Sequence, residues 1–356
     1  MKAAFFTLVG LLAVTGSATP VHGRNRNVLA ARGAAGAGNA QSAGDACGAA
    51  GGGVAGGDAA GGGAAGNSTA PAPPAAPAAP GGVAGNGTAP GALVLPDGRI
   101  KADAVAEDFN VLASVFKSAV VKGDGKLNTF LLRLVFSDVI TFPAIEPSIF
   151  DVATNTKAFA INLDDRSIFI PQGGEAQANI RRADLLPSIR SQLNDVAVSG
   201  IRTMHFSVQR DPAKPLNATH DYQIMNLESK DFAFRSLDVR TGAANGNEIA
   251  VFGNSNTAPA PQKIFSVPFG EGAYENFAIK MDFTANTIQV FHSTGQTPLQ
   301  QVTEPVANDL AGSGEYHFAL QKNPVGDAPQ PVGAVDALFF AGIFMEDSTD
   351  GTVTLQ

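Results

Sequence analysis

Hydrophobic and polar residues alternate along several stretches in the second half of the chain. The alternation is clear over residues 203–208, 277–283 and 316–320. A period of two places every second side chain on one face, which is typical of a β-strand with one buried side. These stretches therefore predict strands rather than amphipathic helices.

Two further patterns complete the prediction of an all-β domain. Residues 288–292 alternate directly after a turn at 284–286, which is typical of a hairpin with the preceding strand. Residues 334–345 are apolar on both faces and predict a central, buried strand. Short strands separated by turns rich in Gly, Pro and Asn favour an antiparallel β-jelly roll or sandwich over a parallel α/β fold.

One helical pattern lies near the start of this domain. The domain opens at Leu93–Leu95, and a turn follows at Pro96–Gly98. Beyond the turn, Val105, Phe109, Leu112 and Phe116 recur at helical spacing. This spacing predicts one short helix.

The N-terminal 18 residues have the pattern of a signal peptide. Met1–Lys2 begins a charged region, an apolar run follows over residues 3–14, and Gly16–Ala18 supplies small residues for cleavage. The apolar run is too short to span a bilayer, so a cleaved leader is favoured over an anchor. We therefore predict a secreted protein of the extracellular space or cell wall, without a membrane anchor.

Residues 19–91 differ in composition from everything that follows. Most of this stretch is Ala, Gly and Pro, and it has no tryptophan, tyrosine or phenylalanine. Such a composition cannot offset the entropy cost of ordering the backbone, so we predict a disordered linker. The globular domain is then residues 92–356. The single cysteine, Cys47, lies in the predicted linker and cannot form an intrachain disulfide.

Charge and histidine spacing exclude several classes of function. The net charge is −8, without a basic run, which argues against nucleic-acid binding. The five histidines form no metal-binding spacing, and no glycine-rich phosphate loop follows a strand, so neither a metal nor a cofactor is expected. No role is assigned to His205 or His317. Sequons at Asn67, Asn86 and Asn217 agree with an exported glycoprotein, and we expect a monomer.

Paired carboxylates are the chemistry that remains. Glycoside cleavage needs two of them on one wall of a cleft: an acid for the leaving oxygen, and a nucleophile or base. The spacing of these residues does not show which two form a pair. The candidates are Asp184, Asp221, Glu228, Asp282 and Glu304.

Several motifs resemble those of the fungal glycoside hydrolase family 131. They are found, in the same order, at Leu93–Arg99, Ser167–Pro187, Asp221–Ser229 and Met281–Gly295. The Arg-Arg-x-acid-Leu and His-Ser-Thr-Gly segments are the most specific parts. The resemblance extends over about residues 93–345 and implies a secreted jelly roll that acts on cell-wall β-glucan.

The resemblance also implies the residues of a site. The two family glutamates correspond to Asp184 and Asp221, and the family histidine to His292. Both acids are one methylene shorter here, which pulls each carboxyl back by about 1.5 Å. Substrate contacts are expected from Arg182, Gln223, Tyr222 and His292.

Two functions therefore remain open from the sequence. In the first, the domain binds or cleaves β-glucan with Asp184 and Asp221 as the catalytic carboxylates. In the second, it is a non-catalytic wall or surface-interaction protein that keeps the fold. The shortened acids and the lack of tryptophan favour the second, because sugar-binding clefts commonly use flat aromatic rings.

Overall fold

A computed structural model describes residues 92–95, 97–110, 136–169, 175–187 and 195–356 of this protein. The predicted signal peptide and linker lie outside the described residues. So do Leu112 and Phe116 of the predicted helix, whose first part is a 3₁₀ turn at Ala106–Asn110. None of the helices in the described ranges is long and apolar enough to cross a membrane.

The regular secondary structure of the described residues is mainly β-strand, with short 3₁₀ turns at Ala106–Asn110, Phe136–Val139, Val152–Thr154 and Ala243–Asn245. The strands are β1 (Ile100–Lys101), β2 (Ile140–Thr141), β3 (Thr156–Lys157), β4 (Phe159–Leu163), β5 (Arg181–Leu185), β6 (Ile201–Arg210), β7 (His220–Glu228), β8 (Arg235–Gly242), β9 (Glu248–Phe252), β10 (Lys263–Pro268), β11 (Glu275–Asp282), β12 (Thr287–Thr294), β13 (Gln300–Gln301), β14 (Val306–Ala307), β15 (Glu315–Pro324) and β16 (Asp336–Asp347).

Two antiparallel sheets make up most of the structure. The first has six strands in the order β10-β9-β8-β7-β15-β5. The second has eight, in the order β13-β12-β11-β6-β16-β4-β2, with β14 paired to β12. The prediction of an all-β antiparallel fold is therefore confirmed, as is the hairpin of β11 and β12, which pairs Asp282 with Thr287 next to its turn.

The core lies between the two sheets and is built from the alternating apolar residues. Phe206 of β6 stacks on Phe277 of β11 at 5.2 Å between ring centroids, and meets Phe318 of β15 at 5.6 Å from the other sheet. All three rings are fully buried. Burial of a large aromatic side chain contributes about 1.5–3 kcal/mol, so this cluster is a main source of stability.

The predicted central strand is β16, which lies between β6 and β4 in the eight-stranded sheet. Eleven of its twelve residues are buried. Its outward-facing side is covered as well as its inward-facing side: Phe344 stacks on His205 at 4.3 Å and meets Phe150 edge-on at 5.6 Å. This second layer explains why the pattern at 334–345 lacks alternation.

Candidate active site

The six-stranded sheet carries a charged surface on the side away from the core. Its residues alternate with core residues such as Ala183 and Leu185, so pleating places them on this side of the sheet, and the pairing of neighbouring strands brings them together. We call this surface the polar face. It comprises Arg182 and Asp184 of β5, Gln223, Asn226 and Glu228 of β7, Asp238 and Arg240 of β8, and His317 and Gln321 of β15.

Strand register arranges these side chains in two rows across the sheet. In the first row Asp238 pairs with Asn226, and Asn226 with His317. In the second, Arg240 pairs with Gln223, Gln223 with Gln321, and Gln321 with Arg182. Side chains directly opposite one another on neighbouring strands are within contact distance. The polar face is thus one connected surface.

Asp184 lies at the centre of an ion-pair cluster. Its Oδ2 accepts a hydrogen bond from Nε of Arg182 at 2.7 Å, and Nδ1 of His317 lies 3.3 Å away. The Asp184 side chain is fully buried. Burial opposes its ionisation, but the charge of Arg182 and the contact with His317 outweigh this, so the pKa of Asp184 is lower than usual.

His317 joins Asp184 to a second carboxylate. Its Nε2 lies 3.4 Å from Oε2 of Glu228, so one imidazole ring contacts an acid on each side. Burial alone would lower the pKa of His317, yet the two acids raise it to about 9. The pKa of Glu228 falls below its usual value because His317 and Arg182 outweigh its burial. At neutral pH the cluster therefore contains an imidazolium between two carboxylates.

Asp238 differs from the other acids of the polar face. Burial raises its pKa to about 6, against the opposing charges of Arg240 and Arg235. Nε2 of Gln223 donates a hydrogen bond to its Oδ2 at 3.2 Å, and Nε of Arg240 lies 3.1 Å from the same oxygen. Glu228 contributes to the raised pKa by charge repulsion. A carboxyl that stays protonated up to about pH 6 is able to donate a proton.

Several buried polar atoms of this face have no hydrogen-bond partner among the described residues. They are Oδ1 of Asp184, Oε1 of Gln223, Oδ1 of Asn226 and Oδ1 of Asp238. Buried polar groups are normally paired, because leaving one unpaired costs free energy. Such a concentration on one surface is typical of a site that receives a hydrogen-bonding ligand.

Asp221 is on the same strand as Glu228 but far from Asp184. Asp221 of β7 pairs with Asn323 of β15, whereas Asp184 of β5 pairs with Ala319 of β15. The two acids therefore lie on different neighbours of β15, four residues apart along that strand. Four residues of strand correspond to about 13 Å. Oδ1 of Asp221 accepts a hydrogen bond from the backbone N–H of Ala244 at 2.9 Å. The structure thus does not bring together the two acids that the sequence suggested as a pair.

Of the four residues from which substrate contacts are predicted, Arg182 and Gln223 are on the polar face, whereas Tyr222 and His292 are not. The Tyr222 ring is fully buried in the core, and its hydroxyl donates to Asp336 at 2.9 Å. The predicted sugar contact is corrected, because strand alternation points Tyr222 opposite to Gln223. His292 also faces the sandwich interior, where its Nε2 lies 2.8 Å from Oε2 of Glu275.

A cavity of about 230 Å³ lies near the Asp221 end of β7. None of the charged residues of the polar face lines it. Its walls are formed by Arg210, Leu216, Asn217, Ala218, Tyr222, Thr241, Gly242 and Asn247. It lacks a carboxylate in its lining, so it does not offer the paired acids of glycoside cleavage. Within the described ranges, no cluster of three His, Cys, Asp or Glu residues is arranged to hold a metal ion.

The fold is a jelly-roll β-sandwich with a charged polar face on one sheet. The family model for the glycoside hydrolase 131 catalytic N-terminal domain matches residues 94–351. The chain therefore belongs to glycoside hydrolase family 131, and the resemblance seen in its motifs is confirmed. It is classed as a glycoside hydrolase on this basis. Comparison with curated protein sequences finds no match.

Two solved structures are similar to this chain. The catalytic domain of a family 131 protein from Coprinopsis cinerea is 18% identical over 74% of this chain and 97% of that chain, with a TM-score of 0.53. A family 131 β-glucanase catalytic domain from Podospora anserina is 20% identical over 62% of this chain and 82% of that chain, with a TM-score of 0.48. The first of these likenesses supports the same fold.

Three residues of the polar face were not assigned a site role from the sequence. His317 alternates with core residues of β15, and Asp238 with core residues of β8. Glu228 was one of five candidate acids without a partner. A signal was available for His317 and Asp238, because each is a titratable residue between two apolar neighbours in a strand. Glu228, at the end of β7, lacks this signal. Only the strand order shows that the three meet.

Proposed function

We propose that this chain is a secreted hydrolase that cleaves cell-wall β-glucan at the polar face. The observation that carries the proposal is the contact of His317 with both Asp184 and Glu228, beside a third acid of raised pKa. Family membership gives the reaction class, glycoside hydrolysis. The β-glucan substrate and the secretion follow from the family resemblance and from the leader pattern at residues 1–18.

Glu228 and Asp238 are suited to opposite roles in this reaction. The pKa of Glu228 is lowered and that of Asp238 is raised to about 6, so between these values one is ionised while the other keeps its proton. Divergent pKa values in neighbouring acids are typical of acid and base assignments. We assign Glu228, whose side chain is 16% exposed, as base or nucleophile, and Asp238 as proton donor.

Asp184 and His317 act as positioning residues in this scheme. Asp184 is fully enclosed and anchored by Arg182, so it fixes the orientation of the His317 ring. The ring in turn holds Glu228 in its ionised form. Oriented charges that need no rearrangement during the reaction are an efficient source of catalysis.

The unpartnered atoms of the polar face support a carbohydrate ligand. Glucan presents a dense row of hydroxyl groups, each able to donate and accept hydrogen bonds. Gln223, Asn226 and Asp238 each have one side-chain oxygen without a hydrogen-bond partner among the described residues. A hydroxyl-rich ligand satisfies these atoms, and a protein is expected to discriminate strongly against a ligand that leaves them unpaired.

Sugar release tests the proposal directly. The protein is incubated with laminarin-type and cellulose-type glucans, and reducing sugar is measured for the wild type and for Glu228→Gln, Asp238→Asn, Asp184→Asn and Asp221→Asn. We expect the Glu228 and Asp238 changes to lower kcat by about 10²-fold or more. Asp221→Asn tests the pairing of Asp184 with Asp221 that the motifs suggest. If Asp221→Asn lowers kcat more than Glu228→Gln does, the assignment of Glu228 as base or nucleophile is overturned.

Two further measurements test the remaining parts of the proposal. Expression of the full chain in a secreting fungal host, with sequencing of the N-terminus from the medium, tests cleavage after about residue 18; retention of residues 1–18 contradicts it. Absence of sugar release by the wild type, with binding to insoluble glucan retained, favours the non-catalytic wall-binding function instead.

A further inference from the structure

The loop between β7 and β8 presents an aromatic side chain to solvent. Phe232 is 72% exposed. Among the described residues it is the only phenylalanine or tyrosine in the exposed class, and the chain has no tryptophan. Single exposed apolar residues are common on protein surfaces, so exposure by itself carries no function. The backbone at this position supplies a second observation.

Phe232 has a left-handed backbone conformation, with φ of 60°. This region is unfavourable for a bulky L-residue, and glycine or asparagine normally occupies it. Strained positions of this kind concentrate at functional sites, where the surrounding structure enforces them. The position thus combines two unfavourable features, an exposed ring and a strained backbone, that a glycine would avoid.

The loop holds Phe232 in this conformation through its own hydrogen bonds. Its N–H donates to the carbonyl oxygen of Ser229 at 2.9 Å. The Ser229 hydroxyl donates to Asp231 at 2.7 Å and accepts from the N–H groups of Ala233 and Phe234, both at 3.1 Å. The N–H of Lys230 donates to Gly312 at 3.0 Å, which ties the loop to the β15 side. The backbone of the loop that carries the Phe232 ring is therefore held by several hydrogen bonds.

The position of the loop connects this ring to the polar face. Residues 229–234 join the two strands that carry Glu228 and Asp238, and Phe232 is four residues beyond Glu228. Glu228 pairs with Arg235 at the mouth of the same hairpin. A glucan chain that lies across the polar face and extends past Glu228 meets this loop next.

We infer that Phe232 is a binding platform for a glucosyl ring, one subsite away from the reacting bond. The inference rests on the proposed function. β-Linked glucose has its hydroxyl groups equatorial, so each ring has two faces of C–H groups. Such a face packs well against the flat π-face of an aromatic ring, and binding sites combine apolar surfaces of this kind with a few polar groups. Phe232 then contributes to affinity for chains long enough to reach it.

The test compares side chains that share the strained backbone. Phe232→Leu keeps an apolar residue without a flat ring, and Phe232→Tyr keeps the ring. Val152→Ala, a change at a 65% exposed valine in the 3₁₀ turn Val152–Thr154, is the matched control. Steady-state kinetics on long glucan and on a short oligosaccharide are measured, together with binding to insoluble glucan and thermal unfolding.

We expect Phe232→Leu to raise KM for long glucan and weaken binding by about five- to tenfold. Its kcat and its KM for the short substrate should stay within about twofold of wild type. Phe232→Tyr and Val152→Ala should match the wild type. The inference is overturned if Phe232→Leu has the KM for long glucan and the glucan binding of the wild type. It is also overturned if Phe232→Tyr binds glucan as weakly as Phe232→Leu. Either result leaves the proposed function intact. A wild type that neither cleaves nor binds glucan overturns both.

Discussion

The imidazole of His317 lies 3.3 Å from the carboxylate of Asp184, although the two residues are 133 positions apart in the sequence. The contact forms because β5 and β15 are neighbours in the six-stranded sheet. It places a charged pair on the polar face that no short motif contains. Several measurable properties depend on this pair and on the acids around it.

The stability of the protein should depend on His317 in a pH-dependent way. The pKa of His317 is about 9 in the folded state and about 6.5 when unfolded. A raised pKa means that the stabilisation is complete below about pH 6.5 and is lost as the pH rises through about 9. His317→Gln should therefore cost about 3 kcal/mol at pH 6 and much less at pH 10, measured by urea unfolding. An equal cost at both pH values contradicts this prediction.

Asp238 should show a different pH dependence, because its raised pKa reflects unfavourable burial. Its carboxyl ionises near pH 4 when unfolded but at about 6 when folded. Stability from this group is complete below pH 4 and is lost as the pH rises through 6. Relative to wild type, Asp238→Asn should gain up to about 3 kcal/mol between pH 4 and pH 7. Unfolding curves of both proteins across this range measure the gain, and parallel pH profiles would falsify it.

Asp221 should matter more to local structure than to turnover. Its carboxylate accepts the backbone N–H of Ala244 in the 3₁₀ turn after β8. Asp221→Ala removes this acceptor and should cost about 1 kcal/mol of unfolding free energy, with kcat within about twofold of wild type. Asp221→Asn keeps a carbonyl acceptor and should cost less. Stability and sugar release measured on both variants separate the two effects, and a large loss of kcat sinks the prediction.

Gly314, the residue before β15, should tolerate no side chain. A Cβ there would collide with the carbonyl oxygen of Glu228. The Cβ atom and the carbonyl oxygen are both fixed to the backbone, so relief of the collision requires the end of β7 to move. Gly314→Ala should cost about 2 kcal/mol or more and should also lower sugar release through Glu228. Gly326→Ala is a useful comparison, because nothing lies within 4 Å of a Cβ at that position, although its left-handed φ of 60° adds some strain of its own.

The fold class and several of the strands, but only part of the candidate site, could be predicted from the sequence. Alternation correctly predicts β6, β11, β12 and β15, because side chains of period two must face the core on one side. The run that is apolar on both faces correctly predicts β16. The helical spacing around Phe109 yields only a 3₁₀ turn among the described residues. The spacing of apolar residues does not determine whether a short segment forms the hydrogen bonds of a 3₁₀ turn, between residues three apart, or those of an α-helix, between residues four apart.

The site was harder to predict because it depends on strand order. Asp184 and Arg182 are two residues apart, so a single motif includes both and their contact follows from pleating. His317 meets them only because β15 pairs with β5. Tyr222 and Gln223 are adjacent in sequence but face opposite sides of the sheet, and the assignment of both to one site was therefore wrong for Tyr222.

The place of β16 in the eight-stranded sheet also has a consequence for biosynthesis. Among the described residues it is the longest strand and the last in chain order, and it separates β6 from β4. While the chain emerges from the ribosome, β4 and β6 are exposed long before the strand that fills the gap between them. The two strands then present unpaired edges at least while residues 211–335 are synthesised. Folding in the cell should therefore be a late, nearly all-or-none event, and chaperones should protect the nascent chain until residues 336–347 are free.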